Sequence, residues 1–159
     1  MTGESVEMRE LVRQNLDLPQ IIADLLENAS SSQIRIPKMF IRNYVWVANN
    51  MSKIKLLTEI EVKNICYIFI TQIGQFLQKN EKDENSLIDV IGGLAHISSQ
   101  GNEQFIKYAT GFGIFPQGNE ILEHMIELLG SKHEQIYYLS LKYVGSVMGS
   151  DNKEITDKI

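Results

Sequence analysis

A hydrophobic period of three to four residues recurs along this chain from end to end, broken only by short polar stretches. No segment alternates apolar and polar residues between turn signals, as a half-buried strand would. The pattern predicts helices over about 6–14, 19–27, 37–51, 57–63, 64–79, 86–98, 102–108, 120–129 and 134–148, with a further turn or two after 151. Pro19 and Pro37 stand at two of these starts, where a missing N–H removes no helical hydrogen bond.

The helices repeat. IRNYVWVANNMS from Ile41, LIDVIGGLAHIS from Leu87 and YYLSLKYVGSVM from Tyr137 align in register. One apolar column holds Val45, Ile91 and Leu141, a second Ala48, Leu94 and Val144, a third Met51, Ile97 and Val147. Asn49, Ala95 and Gly145 form a column of small residues, and the register, Trp46 with Gly92 and Lys142, sets spacings of 46 and 50 residues. The preceding helices repeat as well: LPQIIADLL from Leu18, FITQIGQFL from Phe69 and ILEHMIELL from Ile121 share a double apolar ending. Two helix types recurring in one order predict an all-α solenoid of three-helix units, against a helical bundle of accidental likeness. The period is near that of armadillo repeats, which form a right-handed superhelix. A single domain over 1–159 is expected, with repeats at about 6–53, 54–100 and 101–150 and the start of another at 151–159.

Composition narrows the partners. The net charge of −5 argues against a general binder of nucleic acid or anionic membranes and fits a basic partner. No apolar stretch reaches the length of a membrane span, and the N-terminus lacks the pattern of a secretory signal. Cys66 is the only cysteine, so no internal disulfide forms and a reducing compartment is expected. On its apolar helix it reads as a buried, inert thiol. His96, His124 and His133 are irregularly spaced, which predicts neither a metal nor a cofactor site. Gly111 and Gly113 in TGFGIFPQG lack the lysine and hydroxyl residue of a phosphate loop and read as an insertion between helices. With no catalytic constellation, the expectation is a binding surface, not an enzyme.

Specific residues then suggest a family. GESVEMRELV resembles the importin-alpha segment that joins one armadillo repeat to the next. IRNYVWVANN is similar to that family's third-helix signature of Arg-Asn, Trp three residues on, and Asn four after that. SLIDVIGGLAHISSQGNEQFI and LKYVGSVMGSDNKEI resemble the two following repeats, so the likeness is collinear over the whole chain. It implies a nuclear-import adaptor, working in cytoplasm and nucleus, whose concave groove holds the lysine-rich nuclear localisation signals of cargo proteins. It also implies a peptide-binding set of Glu4, Asn43, Trp46, Asn50 and Asp89. A Trp and an Asn at i and i+4 share a helix face, the amide holding peptide backbone and the ring packing on a lysine stem.

The match is uneven. Gly92 and His96 stand where the family has Trp and Tyr, Ser146 where it has Asn, and Lys142 where it has Arg. These departures raise the alternative of a divergent armadillo scaffold that no longer binds import signals. Position by position, other readings stay open: Trp46 in the core, Asn43 and Asn50 as solvated helix residues, Asp89 favoured by a helix dipole, Glu4 in an N-terminal turn. The family's importin-beta-binding segment and first two repeats have no counterpart here, which implies no recruitment of the beta carrier and either a fragment or a truncated paralogue. Repeat ends without partners predict self-association, through Val6, Met8 and Leu11 at one end and Ile155 and Ile159 at the other.

Overall fold

A computed structural model describes residues 7, 10, 11, 16–32, 36–78, 83–112, 114, 115, 120–151 and 155, with backbone only at 30 and 74–78. Among these residues the chain is all-α: α1 (Leu18–Ser31), α2 (Lys38–Ser52), α3 (Glu59–Gln78), α4 (Glu84–Ser98), α5 (Glu103–Ala109), α6 (Glu120–Glu127) and α7 (Glu134–Met148). A single 3-10 turn, Leu128–Gly130, follows α6. Side chains set several of the starts. Thr58 and Glu61 form a reciprocal capping box before α3, with Thr58 N–H donating to Glu61 Oε2 (2.7 Å) and Glu61 N–H to Thr58 Oγ1 (3.3 Å). Asp83 caps α4 through the Ser86 N–H, and Asn102 caps α5 through the N–H groups of Gln104 and Phe105.

One element differs from the sequence expectation. The helices expected at 57–63 and 64–79 are a single helix, α3. Asn64, the polar residue at the expected break, donates from Nδ2 to Gln20 Oε1 of α1 at 2.8 Å. It ties two helices together across an unbroken buried stripe of Val62, Ile65, Cys66, Phe69 and Ile73. The segment after α5 folds back on that helix, where Phe115 stacks on Tyr67 with ring centroids 5.6 Å apart.

α4 is the centre of the structure, with α2 on one side and α7 on the other, and α3 and α5 also against it. The three helices that repeat in sequence therefore stack in the order α2, α4, α7. Both flanks of α4 are closed: Val90, Gly93 and Ile97 are buried, and so are Ile91, Leu94 and Ala95. α7 is buried along Ile136, Ser140, Tyr143 and Val147, and the Tyr143 hydroxyl donates to the Ala109 carbonyl at 3.0 Å.

Here the repeat pattern breaks. Val45 and Ile91 are fully buried, but Leu141 in the same column is 47% exposed. α4 has a helix of the stack on either side, α2 and α7, whereas among the described residues no further helix of the stack follows α7. Ile155 departs in the opposite sense, buried in the main core at 1% exposure where a loose end was expected. Leu11 is exposed, and Val6, Met8 and Ile159 lie outside the described residues.

Candidate functional site

Gly92 of α4 lies between its two neighbours in the α2–α4–α7 stack. A Cβ built on Gly92 would meet Leu139 Cδ1 at 3.6 Å and Asn49 Oδ1 at 3.9 Å, so α2 and α7 approach α4 from either flank at this position. Trp46, one turn before Asn50 on α2, is 40% exposed, and Asn43 beside it is exposed. A ring that open is partly wet, unlike the fully buried aromatics of this core such as Phe69 and Tyr143.

The polar partners are less free. Asn50 is buried, and its Nδ2 donates to the Trp46 carbonyl at 2.9 Å, back along its own helix. Ser146, in the same column on α7, does likewise, its Oγ donating to the Lys142 carbonyl at 2.9 Å. Both are i to i−4 bonds that hydroxyl and amide side chains form within a helix. Asp89 is half-buried and accepts a 2.6 Å hydrogen bond from Asn49 Nδ2. Burial raises the Asp89 carboxyl above the usual carboxylate range, while Asn49, Lys53 and Arg42 pull it back and Asp83 adds to the rise. Glu4 lies outside the described residues.

Sequence reasoning missed three participants. Asn49 counted as a small-column residue, yet it holds Asp89, and its own buried Oδ1 has no hydrogen-bond partner among the described residues. Its signal is that it is the one polar member of that column. Lys53 and Lys142 flank His96, half-buried on α4: burial lowers the imidazole pKa first, and Lys142 and then Lys53 lower it further. Beyond them, a cleft of about 370 Å³ opens where the C-terminal ends of α4 and α7 meet the start of α5. Ser98, Ser99, Ser146 and Ser150 line it, with the carboxylates of Glu103 and Asp151.

Among the described residues no group of three or more His, Cys, Asp or Glu side chains could hold a metal ion, and no helix is long and apolar enough to cross a membrane. Burial pushes the Cys66 thiol far above its ordinary value, which leaves it protonated and unreactive. No protein-family model, curated protein or solved structure matches the chain.

Proposed function

We propose that this chain is an armadillo-type interaction module, a right-handed solenoid of helical repeats that binds an extended segment of another protein across α2, α4 and α7 and carries out no catalysis. The observation that carries the reading is the side-by-side stack of the three sequence-related helices, with Trp46 open on α2. A half-exposed tryptophan over a repeat surface is an anchor of the kind that dominates binding energy in protein interfaces.

Two versions of this function follow from the likeness to importin alpha. In the first the module is a nuclear-import adaptor, and the segment is a lysine-rich signal whose methylene stem packs on Trp46. In the second it is a divergent scaffold with another partner. The second has the better support. The Asn50 amide is bound to its own helix, Asp89 is engaged by Asn49, and Gly92 and His96 take two places where the family has aromatics. Titration with a fluorescently labelled lysine-rich peptide, followed by the anisotropy of the label, separates the versions. Saturable binding lost in Trp46→Ala supports the adaptor. No binding leaves the scaffold.

A further inference from the structure

The α2–α4–α7 face gathers Arg42, Lys53 and Lys142, with Asp89 and the nearby Asp83 as the opposing carboxylates. Lys53 follows Asn49 by four residues, His96 follows Gly92 by four, and Lys142 follows Leu139 by three. Asn49, Gly92 and Leu139 meet at one point, so each of the three basic residues stands about one turn further along its helix. Lys53 and Lys142 are exposed and act together on His96 between them, while Arg42 and Lys53 act on Asp89. None of Arg42, Lys53 and Lys142 makes an ion pair among the described residues. The carboxylate among them, Asp89, is half-buried and already accepts from Asn49. On a chain of net charge −5, this is a local reversal of sign.

Such a field repels a lysine-rich segment and attracts a carboxylate-rich one, and it raises the encounter rate for the latter. Gly92 adds room: with no side chain at the centre of the face, a partner backbone can approach there. Resting on the reading of this face as a binding surface, we propose that its partner is an extended acidic peptide segment, with its backbone over Gly92 and its carboxylates over Lys53, His96 and Lys142. The net negative charge of the rest of the chain disfavours nucleic acid as the anionic partner.

The test uses the full chain and three labelled eight-residue peptides, alternating Glu-Ser, Lys-Ser and Gly-Ser, with single-stranded oligothymidine as a fourth probe, read by fluorescence anisotropy at low salt. The acidic peptide is expected to bind at least tenfold tighter than the other probes and to weaken as salt rises. The double variant Lys53→Glu, Lys142→Glu is expected to lose that preference while keeping the helical circular dichroism of the parent. Tighter binding of the lysine peptide or of oligothymidine overturns the acidic assignment and keeps the face as a binding surface. So does acidic binding that the double variant leaves unchanged, which places the peptide elsewhere. If no peptide binds, the binding-surface reading itself falls, and the assignment with it.

Discussion

The ring of Phe69 on α3 occupies the space that a side chain on Gly93 of α4 would need. A Cβ built on Gly93 would overlap the ring atoms Cζ and Cε2, and Phe69 is fully buried, so the ring has nowhere to withdraw. The contact brings α3 close beneath the central helix, and it depends on the absence of one methyl group.

Gly92 and Gly93 should therefore respond in opposite ways to the same substitution. Gly93→Ala forces an overpacked contact in a close-packed core and should destabilise by about 1–3 kcal/mol. At Gly92 the new Cβ meets Leu139 and Asn49 at ordinary contact distance. There, alanine's better helix propensity should raise stability by about 0.5–1 kcal/mol. Urea unfolding of the two variants beside the parent measures both. Equal shifts of one sign would show that the Phe69–Gly93 contact is not rigid.

Much of this arrangement is written locally in the sequence and some of it is not. The 3.6-residue period gives α7 its observed bounds, because it depends on neighbours a few residues away. The repeat columns foretell that the helices containing Trp46, Gly92 and Lys142 stack in order. They do not foretell that Leu141 is open or that Ile155 is closed, since burial depends on what lies across from a residue. The charge of the candidate face was hidden for the same reason. Lys53, His96 and Lys142 are far apart in sequence and meet only through the stack. The reason for glycine at 93 is Phe69, a residue distant in sequence.

Two titratable groups on the face give stability a pH dependence. The Asp89 pKa is raised in the folded state, chiefly by burial, so its contribution is fully present below the unfolded value near 3.8 and is lost as pH rises through the folded value. Asp89→Asn, which keeps an acceptor for Asn49, should raise the melting temperature at pH 7, and the gain should close in acid. The His96 pKa is lowered, first by burial and then by Lys142 and Lys53. Its contribution is present above the unfolded value near 6.5 and is lost as pH falls through the folded value. His96→Gln should flatten the fall in melting temperature below about pH 6.5. Parallel melting curves for parent and variants across pH 3–8 check both signs.

Cys66 should resist modification as long as the chain is folded. It is fully buried in α3, and its thiol is held protonated by burial. Alkylation with iodoacetamide at pH 8 should be at least a hundredfold slower in the native protein than in urea, and its native rate should follow opening of the core. Fast native labelling, read by mass spectrometry, would mean that α3 is not packed as described.

The outer face of α7 predicts weak head-to-tail association. Tyr137, Leu141 and Met148 lie at i, i+4 and i+11, with Tyr138 beside them, and all four are exposed. In the stack α7 follows α4, and no helix of the stack follows α7 among the described residues, so this surface is open to a helix of the same repeat. At the other end of the stack Met39 and Phe40 of α2 are exposed, and Phe40 is the register equivalent of Ile136, which α7 buries. One copy's α2 set on another's α7 would be a heterologous contact, one that adds copies without closing. Covering roughly 300 Å² of apolar surface gives about 7 kcal/mol at 25 cal/mol per Å², comparable to the cost of association. The expected outcome is thus a concentration-dependent sedimentation coefficient that rises only at high concentration. Leu141→Glu and Phe40→Ser should each abolish the rise with unchanged helical circular dichroism, since each removes one half of the contact. If only the α7 variant acts, two α7 faces meet each other in a closed dimer. A monomer across the whole range would sink the prediction and leave the face to a different protein.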